Sequence, residues 1–113
     1  MRRGEIRWHR FAAPDKKRPV LLLTRDAVIG MLNELIVAPV TRSIRGLETE
    51  VVLSPNDGMP TACAINFDHV GIVHRSRLGA LLCTLPEHRW AEAECALLAA
   101  CGFTGSPPAL DRS

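Results

Sequence analysis

Residues 16–24 read Lys16-Lys17-Arg18-Pro19-Val20-Leu21-Leu22-Leu23-Thr24, three cations followed by a proline and an aliphatic run. Proline has a fixed φ and no N–H group, so Pro19 suits the first residue of a strand or an edge position. The run 20–23 is apolar on both faces, which is typical of a strand buried in a small barrel or sandwich. Arg18 is therefore expected where a basic loop meets a rigid strand, a position from which a guanidinium can face a phosphate. The alternative is that residues 16–18 only solubilise the loop.

Length and composition limit the class of protein. At 113 residues the chain forms one domain, and with 47% hydrophobic and 23% charged residues most of it is expected to fold. A net charge of +2 does not by itself indicate a nucleic-acid-binding protein. However, the cations cluster at 2–3, 16–18, 42–45 and 74–77, whereas acidic residues concentrate at 87–94. This distribution allows one basic face.

The four cysteines, Cys63, Cys83, Cys95 and Cys101, show no CxxC pair and no histidine at zinc-ligand spacing. All four have apolar neighbours, so we expect them to be small buried hydrophobes in a reduced cytoplasm. The start of the chain reads as an alternating strand and not as a signal peptide, and no apolar run is long enough to span a membrane. The sequence predicts no metal and no cofactor.

Alternating apolar residues separated by turn signals predict short strands, and residues 54–58, Ser-Pro-Asn-Asp-Gly, are the clearest turn. After Pro86, an apolar stripe at helical spacing (Trp90, Ala93, Leu97, Cys101) predicts a helix that ends at Gly102. The pattern therefore predicts a small, mainly antiparallel β-barrel with one C-terminal helix, in a domain at 1–103 followed by a disordered tail at 104–113. The predicted strands are 4–11, 19–24, 35–40, 48–53, 61–67, 70–73 and 80–83, with a short helical turn within 25–34, a connecting turn at 75–78 and the helix at 86–101.

Several segments resemble the MazF/PemK family of toxin–antitoxin endoribonucleases, over roughly residues 1 to 103. The resemblance implies an SH3-like barrel of the CcdB/PemK type and the toxin of a type II toxin–antitoxin system. It also implies a cytoplasmic homodimer that cleaves single-stranded RNA without metal, as an mRNA interferase, and is neutralised by a cognate antitoxin. The segments that carry it are 1–6 (MRRGEI), 17–21 (KRPVL), 36–41 (IVAPVT), 60–67 (PTACAINF), 76–79 (SRLG) and 85–87 (LPE) with the helix that follows.

The resemblance places the catalytic arginine on Arg18 and the catalytic threonine on Thr41. In metal-independent cleavage the 2′-hydroxyl of the RNA attacks the adjacent phosphorus and leaves a 2′,3′-cyclic phosphate and a 5′-hydroxyl. Negative charge grows on the non-bridging oxygens, so a fixed guanidinium and a hydroxyl donor stabilise the transition state. The alternative for Thr41 is a strand residue whose hydroxyl serves a local turn.

Proton transfer is predicted at Asp68 and His69, which share a polar bend, with Glu50 as a weaker candidate. The alternative for each is a solvated loop charge. Many relatives carry Gln-Ile-Arg where this chain has His69-Val70-Gly71, so a basic residue is replaced by Gly71. This departure implies a different RNA preference or reduced activity.

Cations and polar side chains near the predicted strand ends are candidates for RNA binding. Trp8 and Phe67 are the only plausible stacking platforms, and the alternative for both is a place in the core. The candidates for phosphate and base contacts are Lys17, Arg25, Arg42, Ser43, Arg45 and Asn66.

Two other functions stay open at this point. A catalytically weak protein of the same fold can act by binding a protein target, as a gyrase-type poison does, or can bind only its antitoxin. Toxicity that survives the loss of Arg18 would favour the first of these.

Overall fold

The computed structural model describes residues 1–10 and 16–103. Within these ranges the chain forms seven β-strands and two α-helices. The predicted loop at Pro14-Asp15 and the predicted tail at 104–113 lie outside the described residues. The strands are β1 (Glu5–Arg10), β2 (Lys17–Leu22), β3 (Glu34–Thr41), β4 (Glu50–Leu53), β5 (Cys63–Asn66), β6 (Gly71–His74) and β7 (Leu78–Thr84), and the helices are α1 (Asp26–Ile29) and α2 (Trp90–Ala100).

The strands form one antiparallel sheet in the order β4-β5-β3-β2-β1-β7, and β6 pairs with β3. Strand β3 is its centre. On one side it pairs with β2, as in the pair Val20 and Pro39. On the other side its first half pairs with β6, and its last two residues, Val40 and Thr41, pair with β5. The sheet curls around the core without closing, so the predicted barrel-like β fold with one C-terminal helix is confirmed.

The two faces of β2 are buried in different clusters. Leu21 belongs to the main core with Ile6, Ala38 and Phe67, which α2 covers. Val20 and its neighbour Leu22 belong to a second cluster with residues of α1 and β3. The aliphatic run is therefore buried on both faces, as its lack of alternation predicts.

Strand β2 starts earlier than predicted. Pro19 is its third residue and not its first, because Lys17 and Arg18 already pair with Arg10 and His9 of β1. The placement of Arg18 in a loop was therefore wrong, and Arg18 lies on the strand. This pairing joins two segments across the loop at 11–15, and local sequence preference carries no record of it.

Helix α2 buries two alanines, Ala93 and Ala96, against the sheet. Trp90 and Leu97 of the predicted stripe pack at the edge of this contact. Cys101 is exposed beyond the helix end, so its predicted place in the stripe was wrong. Small alanine side chains let the helix approach the sheet closely, and they therefore take the most buried positions.

The start of α2 is shifted to Trp90 by Arg89. The Arg89 guanidinium donates to Asp57 at 2.9 Å, to Glu92 at 2.7 Å and to the Val52 carbonyl at 2.7 Å. These bonds hold residues 87–89 in a 3₁₀ turn, so the α-helix begins four residues after Pro86. At the other end, Gly102 adopts φ +83° and stops the helix as predicted.

The predicted turn at residues 54–58 is confirmed as a capped 3₁₀ turn. The Ser54 hydroxyl accepts from the Asn56 N–H at 3.2 Å, and the Asp57 carboxylate accepts from the Ser54 N–H at 2.9 Å. The turn ends at Gly58 with φ +102°, and a Cβ added there would lie 2.9 Å from the Cβ of Cys83. Only glycine fits this turn against β7.

We predict that Gly58→Ala lowers the free energy of unfolding by about 3 kcal/mol, because it combines a strained φ with a clash. Gly30→Ala is the matched control, since Gly30 has φ −78° and no atom within 4 Å of an added Cβ. We expect the control to change stability by less than about 0.5 kcal/mol. Urea unfolding monitored by tryptophan fluorescence measures both, and equal stabilities would contradict the account of this turn.

His9 is a histidine in the interior of the sheet, only 7% exposed. It pairs with Arg18 of β2 on one side and with Leu78 of β7 on the other. Burial lowers the pKa of its imidazole below the ordinary value of 6.5, and the positive charge of Arg77 lowers it further. The folded state therefore favours neutral His9.

This pKa predicts a pH-dependent stability. As the pH falls below 6.5, the unfolded chain takes up a proton at His9 that the folded chain resists, so the free energy of unfolding decreases until the pH reaches the lowered folded pKa. The slope cannot exceed about 1.4 kcal/mol per pH unit for one group. Urea unfolding between about pH 7.5 and pH 5 measures this dependence, above the range in which carboxylates titrate.

His9→Gln should flatten this slope whatever it does to the stability itself. His88→Gln, at an exposed histidine, is the control and should leave the slope as in the wild type. An unchanged slope in His9→Gln would show that His9 is not the group responsible.

Candidate active site

A groove opens where β2 and β3 end beside the segment that leads into β5. Its volume is about 420 Å³. We call it the Arg18 groove. Of the described residues that line it, none is acidic and three are cations. The lining residues are Trp8, Lys17, Arg18, Pro19, Val40, Thr41, Arg42, Ser43, Met59, Pro60, Thr61, Cys63 and Leu82.

Strand register brings Arg18 and Thr41 together across 23 positions of sequence. Strands β2 and β3 pair Val20 with Pro39 and continue inward from there. Extending the same antiparallel register outward by two residues sets Arg18 opposite Thr41. Both line the groove, Arg18 exposed and Thr41 half-buried. Directly opposed side chains on one face of an antiparallel pair lie within contact range.

The Thr41 hydroxyl is fixed by the turn that follows β3. Its oxygen accepts a hydrogen bond from the Ser43 N–H at 3.1 Å. The hydroxyl therefore serves a local turn, which is the alternative that the sequence left open for it. Because the oxygen acts as acceptor in this bond, its hydrogen can still be donated into the groove. Both interpretations of Thr41 are thus compatible in one geometry.

Trp8 supplies the aromatic surface of the groove. It is half-buried, and the Lys17 ammonium lies 5.7 Å from the centre of its ring. A cation held there restricts the ring and adds positive charge beside its face. Phe67, the other predicted stacking platform, is 2% exposed and lies in the main core. The core alternative is therefore correct for Phe67.

The proton-transfer candidates lie in a cluster of their own, outside the lining of the Arg18 groove. The Asp68 carboxylate accepts from the Thr49 hydroxyl at 2.7 Å. The Asn66 amide and the His69 Nδ1 are 3.0 Å apart, and the Asn66 side chain caps the 3₁₀ turn that holds both candidates. This turn follows the end of β5, whereas the groove is lined by Cys63 at its beginning. Proton transfer by Asp68 and His69, and RNA binding by Asn66, stay predictions.

Two of the cations predicted to bind RNA also lie outside the lining of the Arg18 groove. Arg25 is exposed and immediately precedes α1. Arg45 is exposed in the loop after β3, where its backbone N–H donates to the Glu50 carboxylate at 3.0 Å. The Gly46 N–H donates to the same oxygen at 3.0 Å, so Glu50 organises this loop. Binding of RNA by Arg25 and Arg45 stays a prediction.

The groove also contains residues that the sequence analysis did not assign to a site. Met59, Pro60 and Thr61 form one wall, and Leu82 of β7 contributes to it. A local signal for the wall exists, because residues 59–61 directly follow the sharp turn that ends at Gly58. No local signal marks Leu82, whose position depends on the pairing of β7 with β1.

All four cysteines are free thiols. Cys63 is buried at the groove and Cys83 is half-buried behind it, and burial raises the pKa of both thiols. Cys95 and Cys101 are exposed, so the prediction that all four are buried was wrong for these two. Their apolar neighbours in sequence lie on other sides of the helix end.

In the ranges 1–10 and 16–103, no group of three or more His, Cys, Asp or Glu side chains could hold a metal ion. The same ranges contain no helix long and apolar enough to cross a membrane. Gly71, which replaces a basic residue of many relatives, starts β6 opposite Val37 of β3.

The sequence and structure were compared with known proteins. A sequence model of the family described as "PemK-like, MazF-like toxin of type II toxin-antitoxin system" matches residues 2–100. "Probable endoribonuclease MazF2" of Mycobacterium tuberculosis is 38% identical over 104 residues, which cover 90% of this chain and 99% of that protein. "Probable endoribonuclease MazF5" of the same organism is 48% identical over 69 residues, or 60% of this chain. That match spans 62% of MazF5, less than two thirds of its length.

A solved structure shows the same fold. The Mycobacterium tuberculosis toxin MazF-mt6 is similar with a TM-score of 0.81 and 28% identity, over 88% of this chain and 97% of that one. With the family match over residues 2–100, these similarities show that the chain belongs to the PemK-like, MazF-like family of toxins of type II toxin–antitoxin systems, the family of these endoribonucleases.

Proposed function

We propose that this protein is the toxin of a type II toxin–antitoxin pair and cleaves single-stranded RNA at the Arg18 groove without a metal ion. One observation carries the proposal. Arg18 and Thr41, far apart in sequence, lie opposite each other in a groove whose lining contains cations and no acid. Membership in a family with endoribonuclease relatives supplies the substrate class.

The chemistry needs charge stabilisation more than a bound nucleophile, because RNA carries its own. The 2′-oxygen attacks the adjacent phosphorus, the bond from phosphorus to the 5′-oxygen breaks, and a 2′,3′-cyclic phosphate and a 5′-hydroxyl result. Negative charge rises on the two non-bridging oxygens during this step. The Arg18 guanidinium neutralises that charge, and the Thr41 hydroxyl donates a hydrogen bond to it.

The rest of the groove holds the strand in place. Lys17 and Arg42 flank the pair and attract the phosphates on either side of the cut. Ser43 offers a hydroxyl at the same edge, and the Trp8 ring gives a base a surface on which to stack. Sequence preference would then come from polar contacts to bases at the wall formed by residues 59–61.

The partners follow from the family and from the charge of the groove. A cognate antitoxin with an acidic segment would cover the same cations and thereby block RNA. We further propose that the active form is a homodimer and that it acts in the cytoplasm, where its RNA substrate is found.

The direct test is substitution of the opposed pair. We expect Arg18→Ala to reduce the rate of RNA cleavage by a hundredfold or more, which is about the effect of losing one preorganised donor at a developing oxyanion. Thr41→Val should have a similar effect, whereas Thr41→Ser keeps the hydroxyl and should remain active. Cleavage of a long single-stranded RNA, followed on denaturing gels, measures all three.

Arg2→Ala is the charge-matched control, because Arg2 is exposed and lines neither the groove nor its surroundings. Thermal unfolding of each variant separates a lost donor from a lost fold. Full activity in a folded Arg18→Ala protein would reject the assignment of the site.

A further inference from the structure

A second cavity adjoins the Arg18 groove on the side of β1 and β7. Its volume is about 550 Å³, within the range of ligand-binding pockets in proteins. We call it the Arg77 pocket. Trp8 and Lys17 line both cavities, so they form the partition between them. The lining residues are Trp8, Arg10, Lys17, Ser76, Arg77, Leu78, Gly79 and Ala80.

The lining of the Arg77 pocket suits a phosphate beside a base. Three of its side chains are cations (Arg10, Lys17 and Arg77), and none of the described lining residues is acidic. Ser76 adds a hydroxyl, and Trp8 is the aromatic group. Cations that attract the backbone beside an aromatic ring on which a base can stack form the usual combination for single-stranded nucleic acid.

The sheet sets the distance between the two cavities. His9 of β1 pairs with Arg18 on one side and with Leu78, the residue after Arg77, on the other. One strand therefore separates Arg18 from this end of β7, so their backbones are about 10 Å apart, twice the spacing between neighbouring strands. A single RNA strand can reach both cavities.

Small residues keep the floor of the Arg77 pocket open beside Trp8. A Cβ added at Gly79 would lie 3.8 Å from the Trp8 carbonyl oxygen and 4.0 Å from its Cβ. The Gly79 carbonyl is held by the Arg7 guanidinium, which donates to it at 2.9 Å. The floor is therefore low and fixed in position, as a preorganised binding site requires.

We propose that the Arg77 pocket is a second RNA subsite, which binds a phosphate at Arg77 and a base on Trp8, next to the nucleotide cut in the Arg18 groove. This inference rests on the proposed function for its substrate class. The pocket extends the basic track past the site of cleavage, so it contributes to affinity and to the minimum length of RNA that is cut efficiently.

Binding can be measured without cleavage. A fluorescein-labelled single-stranded oligonucleotide with 2′-fluoro sugars lacks the attacking hydroxyl, so its affinity for the wild-type protein can be followed by fluorescence anisotropy. We expect Arg77→Ala to weaken binding about tenfold at low salt and to reduce the dependence of log Kd on log salt by about 0.7. Arg2→Ala removes the same charge outside both cavities and is the control.

Trp8 gives an independent test of the same pocket. Trp8→Phe keeps an aromatic ring and should bind nearly as the wild type does. Trp8→Leu removes the stacking surface and should lose about tenfold in affinity. Thermal unfolding of both variants checks that the half-buried position tolerates the change. In cleavage assays Arg77→Ala should raise KM more than it lowers kcat, because the contact is made away from the reacting phosphate.

The outcomes distinguish this proposal from the proposed function. If Arg77→Ala binds the oligonucleotide as Arg2→Ala does, the subsite is rejected, even if Arg77→Ala weakens the binding of an acidic antitoxin peptide. If Arg77→Ala weakens binding but the wild-type protein cuts no RNA, the subsite stands and the proposed cleavage is rejected.

Discussion

The register between β2 and β3 is the constraint on which the rest of this molecule depends. Both strands are buried in the sheet, and a shift of one residue would turn every side chain to the opposite face. Leu21 and Ala38 must meet in the main core, and Val20 must reach the second cluster. Satisfying these contacts leaves Arg18 and Thr41 opposite each other at the end of the ladder. The packing of the core thereby positions two polar groups that contribute nothing to it.

This origin of the site explains its rigidity. Arg18 follows directly from the buried run of β2, and Thr41 is the last residue of β3, held by its bond from Ser43. Groups placed by strands need little reorganisation when charge develops on a substrate, and this preorganisation is the main source of electrostatic catalysis. The same sheet, through His9, spaces the Arg77 pocket one strand away. The basic surface is thus a consequence of strand order and not of a high net charge.

Much of the fold could be predicted from the sequence because strand alternation, the turn at 54–58 and the glycine after α2 are local signals. The two residues of the proposed catalytic pair were named through the family resemblance, but their opposition depends on a long-range register that no local pattern records. The start of β2 was misjudged at Pro19 for the same reason, since only pairing with β1 extends the strand to Lys17. Asp68 and His69 follow β5 in sequence, yet the groove lies at the other end of that strand. The Arg77 pocket combines residues of three strands and a turn, and only the fold brings them together.

The central claim is that this groove cuts RNA by attack of the 2′-hydroxyl, with charge stabilised by side chains and not by a metal. Incubation of the purified protein with a long single-stranded RNA in excess EDTA, followed by analysis of the cut ends, tests it most directly. The account predicts discrete cuts that carry 2′,3′-cyclic phosphate and 5′-hydroxyl ends. Cleavage that appears only when a divalent metal is restored, or that leaves 5′-phosphate ends, would contradict it.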